Sequence, residues 1–92
     1  MSYDILYTAE AEKDFEKHRK SGNKKLLQKI DTLLNELREH PETGTGKPEQ
    51  LKHYNILTWS RRISGEHRLV YRIQNEVITI LVLSAYGHYA DK

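Results

Sequence analysis

Apolar positions in this 92-residue chain follow two different periods, helical in the first half and strand-like in the second. Tyr3-Asp4-Ile5-Leu6-Tyr7 is short and rich in β formers, which predicts a strand. Thr8 is placed to cap a following helix, and Glu10 and Glu12 fall in its first turn, at the positive end of the helix dipole. Ala11, Phe15 and His18 give that helix a narrow inward stripe. Ser21-Gly22-Asn23 breaks it, and Asn23 can cap a second helix. Leu26, Leu27, Ile30, Leu33, Leu34 and Leu37 then occupy one helical face, with Lys, Gln, Asp, Asn and Glu on the rest. His40-Pro41 ends this helix, because the residue before a proline is pushed out of the helical region.

Residues 41–53 hold two glycines and two prolines and form a loop long enough to suggest a functional or disordered segment. Strand patterns follow at about 56–63, 67–73 and 77–85, with Gln74-Asn75-Glu76 turning between the last two. Val77 to Leu83 is nearly all apolar, so the last strand is expected to be central and covered by the helices on at least one face. Parity fixes the middle hairpin. Leu57, Trp59 and Ile63 share one face of their strand, opposite Thr58, Ser60 and Arg62; in the next strand Leu69, Tyr71 and Ile73 oppose Arg68, Val70 and Arg72. A two-residue turn would set Arg62 across from His67 and mix the two sets. A three-residue loop, Ser64-Gly65-Glu66, sets Arg62 across from Arg68 and Trp59 across from Tyr71. One sheet face is then apolar and the other carries Arg62, Arg68 and Arg72. Opposed arginines repel by a few tenths of a kcal/mol or more, a cost that an anion lying between them removes. Arginines pointing into plain solvent are the other reading.

Composition narrows the class. The length fits one domain, residues 1–92. There are no cysteines, which removes disulfides, thiolate catalysis and cysteine-based zinc sites. No apolar run approaches the ~18 residues of a membrane-spanning helix, and Met1-Ser2-Tyr3-Asp4 lacks the basic start and apolar stretch of a secretory signal. The net charge of +2 is uninformative, but its distribution is not. Residues 1–42 carry eight Lys/Arg against nine Asp/Glu, whereas Lys47 to Arg72 carry six basic residues against two acidic ones. A basic half beside a near-neutral half suits a polyanion-binding face, or an ordinary solvated surface. No pair of histidines has zinc-ligand spacing with carboxylates, so no metal or cofactor is assigned.

Four blocks together carry a family resemblance: Gly46-Lys47-Pro48-Glu49-Gln50-Leu51-Lys52, Trp59-Ser60-Arg61-Arg62-Ile63, Glu66-His67-Arg68-Leu69-Val70-Tyr71, and the late pair His88-Tyr89. In spacing and order they resemble the YoeB/Txe toxins of the RelE/ParE superfamily, components of bacterial type II toxin–antitoxin systems. The first 40 residues match in pattern only, and three residues follow Tyr89 where the family ends at or near that pair. The resemblance implies an α+β fold, a small antiparallel β-sheet with two N-terminal helices packed on one face, in the order β-α-α-β-β-β. It implies a cytoplasmic, metal-independent endoribonuclease that enters the ribosomal A site and cuts mRNA, with the RNA 2′-hydroxyl as nucleophile. Its implied partners are a cognate antitoxin, the ribosome and mRNA, and operator DNA only through the toxin–antitoxin complex, with a homodimer as the suggested assembly and no membrane.

Such a reaction needs a base for the 2′-hydroxyl proton, an acid for the 5′-oxygen and cations for the phosphorane. The resemblance makes Glu49 the base, His88 the acid and Arg68 the transition-state ligand, since a guanidinium fork holds two phosphate oxygens. Lys52 and Arg62 would position the RNA backbone. Tyr89 would stack on a base or donate to a phosphate, or else pin the tail to the sheet. Without the resemblance, Glu49 reads as a solvated loop carboxylate and His88 as a terminal histidine. Arg61 falls on the apolar face by parity and is read as structural or ribosome-facing; Trp59 and Tyr71 are read as core. Lysines and arginines on the first two helices are interspersed with acids and fit a solvated surface better than an RNA contact.

Other functions remain open on the sequence. A gyrase-targeting toxin of the ParE type needs no acid–base pair. A non-catalytic nucleic-acid-binding module would bind RNA or DNA without scission, and a degenerate toxin would only bind its antitoxin.

Overall fold

The computed structural model describes residues 2–52 and 57–87. Strand β1 (Asp4–Tyr7) leads into helices α1 (Ala9–Ser21) and α2 (Lys24–Glu39); β2 (Glu49–Gln50), β3 (Thr58–Arg62), β4 (Arg68–Gln74) and β5 (Thr79–Ser84) follow, with a 3-10 turn at Asn75–Val77 before β5. Both helix starts are capped as the sequence predicts. Thr8 Oγ1 accepts the Ala11 amide at 3.0 Å and Asn23 Oδ1 accepts the Leu26 amide at 3.1 Å. The Thr8 hydroxyl also donates to the Leu83 carbonyl at 2.9 Å, which ties the head of α1 to β5.

The five strands lie in the order β1-β5-β4-β3-β2. From β1 the chain crosses one face through both helices, reaches the far edge, and meanders back strand by strand until β5 lies beside β1. That route makes β1 and β5 parallel, while the other pairs are antiparallel. The sheet is therefore mixed, where a purely antiparallel one was expected, and β2 is an extra edge strand inside the expected loop. The last strand is indeed internal, between β1 and β4, with Ile80 and Val82 fully buried.

The hairpin register is the one parity demands: Trp59 faces Tyr71, Ser60 faces Val70, and Arg62 faces Arg68. Ile63 and Ser64 donate backbone hydrogen bonds to His67 across the Ser64-Gly65-Glu66 loop. Beneath the helix-covered face, Ile30, Leu33 and Leu37 of α2 and Ala11 of α1 pack with Leu69, Tyr71, Ile73, Ile80 and Val82. Trp59 joins this core only at its margin, half-buried. Among the described residues no helix is long and apolar enough to cross a membrane.

Candidate functional site

The sheet face turned away from the helices is organised in rows. In an antiparallel pair, opposed residues project to the same side, as do alternate residues along a strand. Glu49 opposes Ser60, and Ser60 opposes Val70, so these three form one row. Arg62 and Arg68 form the next, and Thr58 and Arg72 the row on the other side. Glu49 is thus a diagonal neighbour of Arg62, a relation that sets Cα atoms roughly 7–8 Å apart, within reach of long side chains. Glu49 and Arg62 are exposed, whereas Arg68 and Arg72 are partly buried. The Arg72 Nε is buried and has no hydrogen-bond partner among the described residues. Lys52, exposed, lies two residues beyond the end of β2.

What holds Glu49 at this edge is a network the sequence reveals only in part. Arg61 projects to the opposite face from Arg62 and is fully buried. Its Nε donates to the Tyr71 hydroxyl at 3.1 Å, and its Nη1 to Glu36 Oε1 at 3.0 Å. Nη2 donates to the Thr43 carbonyl at 2.7 Å and to the His40 carbonyl. Tyr71 in turn donates to the Pro41 carbonyl at 2.7 Å, and Glu36 receives the Thr45 amide and hydroxyl, both at 2.7 Å. Residues 40–45 are thereby stitched to α2 and to the floor of the sheet. Of the two sequence readings for Arg61, the structural one is realised.

Burial pushes the Glu36 carboxyl up, but the hydrogen bonds from Thr45, and then Arg61, outweigh it and hold the group below the ordinary carboxylate range. Tyr71 is raised: its burial exceeds the opposing pull of Arg61.

The loop then turns sharply into β2. The Gly46 carbonyl accepts the Arg62 amide at 2.7 Å. Gly46 has φ +88°, and a Cβ there would lie 2.9 Å from the Arg62 carbonyl oxygen, so a side chain is excluded on two grounds. Lys47 also takes a left-handed conformation, φ 52°, immediately before Pro48.

His88 and Tyr89 lie outside the described residues. The chain is described as far as Gly87, whose carbonyl accepts the Arg68 amide at 2.9 Å. The segment just before it is held by side chains that the sequence offered no reason to single out. Asp14, 5% exposed, accepts the Ala85 amide at 2.9 Å. His18 Nε2 donates to the Ala85 carbonyl at 2.7 Å, and the Gly87 amide donates to His67 Nδ1 at 2.8 Å. Only the inward stripe of α1 hinted at His18. Among the described residues no three His, Asp or Glu side chains gather so as to hold a metal ion.

The chain matches a family model described as the YoeB-like toxin of bacterial type II toxin–antitoxin systems over residues 7–89. It is 42% identical over 67 residues to Toxin YoeB of Escherichia coli K12, covering 73% of this chain and 77% of that protein. A YoeB/ParE toxin from Agrobacterium tumefaciens superposes with a TM-score of 0.83 at 32% identity, covering 94% of this chain and 99% of that one. The heterotetrameric YoeB–YefM toxin–antitoxin complex from Staphylococcus aureus contains a chain that matches with a TM-score of 0.75 at 35% identity, over 97% of this chain and all of that one. With the family model spanning most of its length and its α+β architecture shared with these structures, the chain belongs to the YoeB-like toxin family of type II toxin–antitoxin systems.

Proposed function

We propose that this toxin is an endoribonuclease that cuts mRNA in the ribosomal A site. Glu49 takes the 2′-hydroxyl proton, and the 2′-oxygen attacks the adjacent phosphorus. The bond from phosphorus to the 5′-oxygen breaks, and His88 delivers a proton to that oxygen. The products are a 2′,3′-cyclic phosphate and a 5′-hydroxyl end. Because the RNA supplies its own nucleophile, the step needs neither a metal nor a protein nucleophile. Arg68 carries the charge of the phosphorane, Arg62 and Lys52 seat the flanking phosphates, and Tyr89 stacks on or hydrogen-bonds the substrate.

One observation carries this reading. An exposed carboxylate and a pair of opposed arginines share the sheet face turned away from the helices, in adjacent rows, and the amide of one of those arginines is bonded to the residue immediately before His88. Two facing guanidinium groups form a ready anion site, and the partly buried Arg72 adds a donor still lacking a partner among the described residues. The S. aureus toxin–antitoxin complex supports a cognate antitoxin as a partner of this chain, and in this proposal operator DNA is reached only through the chain's own toxin–antitoxin complex.

The test is induction of the wild-type and variant chains in a bacterium, followed by mapping of mRNA 5′ ends. New ends within translated codons are expected for the wild type. Glu49→Ala, Arg68→Ala and His88→Ala are each expected to reduce them by roughly 10²-fold, as for loss of an acid–base group or an electrostatic donor. Near-wild-type cleavage by Glu49→Ala sinks the base assignment. Trapped gyrase–DNA complexes without mRNA cuts would show a gyrase poison instead. RNA binding without scission would show a non-catalytic module.

A further inference from the structure

Helix α1, His67 and the first residue of β4 hold the backbone of residues 85–87 by four hydrogen bonds. Both polar groups of Ala85 are used: its amide by buried Asp14 and its carbonyl by buried His18. Both polar groups of Gly87 are used too, by His67 Nδ1 and the Arg68 amide. Asp14 and His18 lie 71 and 67 positions before Ala85, and His67 lies 20 before Gly87, yet each bond addresses backbone, so it fixes position whatever side chains follow. Between the two pairs, the Tyr86 ring sits 5.1 Å from the His18 ring and 4.4 Å from the His67 ring, and the two imidazoles meet edge to face at 4.8 Å.

The hydrogen bonds also set the tautomers. A carbonyl only accepts, so His18 carries a proton on Nε2; an amide N–H only donates, so His67 offers a bare Nδ1. A side chain of like size that cannot place an acceptor at the Nδ1 position would leave the Gly87 amide without its partner. Gly87 itself has φ +76°, so the chain changes direction at the last clamped residue.

Ordinary core packing of a chain end would use apolar side chains. Here a buried carboxylate, a buried imidazole and a partly buried one grip the backbone of Ala85 and Gly87, directly before His88 and beside Arg68. We infer that Asp14, His18 and His67 are positioning residues, which hold residues 85–87 against Arg68 and thereby set the point from which the chain continues to His88. The inference rests on the reading of His88 as general acid. A general acid displaced by about 1 Å can cost up to 10²-fold in rate, so such anchoring has catalytic consequence.

The test compares His67→Gln with His67→Asn. Asparagine can present its carbonyl oxygen near the Nδ1 position; glutamine reaches past it. Ribosome-dependent cleavage is measured under single turnover at saturating ribosomes, with thermal melts alongside. His67→Asn is expected to stay within about threefold of wild type and His67→Gln to lose about tenfold or more, with half-saturating ribosome concentration unchanged. In a His88→Ala background the His67→Gln loss is expected to vanish, because a group that acts through His88 has nothing left to position. Hydrogen exchange gives a reading independent of cleavage: the Ala85 and Gly87 amides are protected in the wild type, and Gly87 loses protection in His67→Gln. Unprotected wild-type amides, wild-type cleavage by His67→Gln, or a loss that persists undiminished without His88 would each overturn the inference. Wild-type cleavage by His88→Ala, with the amide protection as expected, removes the acid assignment and leaves the clamp as an anchor alone. Should His67→Gln not fold, Asp14→Leu against Asp14→Asn repeats the comparison at the Ala85 amide.

Discussion

Arg61 and Arg62 are neighbours in β3 with opposite fates, and the two sheet faces they enter explain why. Arg61 enters the helix-covered face, where it is wholly buried and bonded to a carboxylate, a phenol and loop carbonyls. Arg62 enters the face turned away from the helices, exposed and set opposite Arg68. A buried guanidinium is tolerable only when nearly every donor is used, so Arg61 dictates the course of the loop that surrounds it. An exposed guanidinium opposite another one contributes little to the fold and stays open to an anion. Strand parity alone turns one residue type into a structural hub at one position and, in the proposed function, a phosphate ligand at the next.

Breaking the covered side should have the largest effect. Arg61→Ala leaves Glu36 without its ion pair and strips partners from the Thr43 and His40 carbonyls. Emptying the site of a fully buried side chain and stripping its acceptors, while Glu36 stays partly exposed, costs about 2–4 kcal/mol, a large share of the stability of so small a domain. Chemical denaturation should show that loss, and a midpoint within experimental error of wild type would refute the hub. Tyr71→Phe is milder. It removes the acceptor for Arg61 Nε and the donor to the Pro41 carbonyl, leaving buried groups unsatisfied at a cost of about 1–3 kcal/mol. The same hydroxyl gives an alkaline signature. Its ionisation is raised in the fold by burial, so its stabilising contribution is complete below the ordinary tyrosine range and is lost as pH climbs through the raised value. Tyr71→Phe should flatten that limb of a stability–pH curve.

How much of this could be read before the fold was known follows from the range of each interaction. The helices were legible because their stripes and caps are local: Thr8 and Asn23 cap amides three residues on. The hairpin register was legible because a one-residue slip would invert both faces, and so were the arginine row and the core side of Arg61. Glu49–Gln50 was not legible as a strand, since two residues show no alternation and their pairing is dictated by β3. The parallel pairing of β1 with β5 depends on the route of the whole chain. Asp14 looked like any acid on a charged helix, because its partner is a backbone amide 71 positions away. His67 likewise stood in a block that drew attention to the arginine beside it. Within the candidate site, the residue types were legible and the groups that hold them were not.

A smaller effect belongs to Glu36, where the loop meets α2. Burial would raise its ionisation, but Thr45 and Arg61 lower it overall. A depressed carboxylate contributes stability above the unfolded value, and that contribution is lost as pH falls through the folded value. Wild-type stability should therefore decline on the acid side below the ordinary glutamate range of about 4.3. Glu36→Gln should weaken this decline while leaving the alkaline limb unchanged, and titration of the unfolding midpoint against pH separates the two. An acid limb identical in Glu36→Gln and wild type would assign the decline to other carboxylates.

The smallest stability effect sharpens the comparison most. Arg62→Ala removes an exposed side chain facing a like charge, so its stability should stay within about ±0.5 kcal/mol of wild type, with a slight gain at low salt as the repulsion from Arg68 is relieved. Its cleavage of ribosome-bound mRNA should nevertheless fall, and the affinity for ribosomes should become less steeply dependent on salt, because one phosphate contact is gone. The pairing of these two readouts is what separates the faces. If Arg62→Ala were as destabilising as Arg61→Ala, the arginine row on the face turned away from the helices would be structural as well, and would lose its claim to be a binding surface.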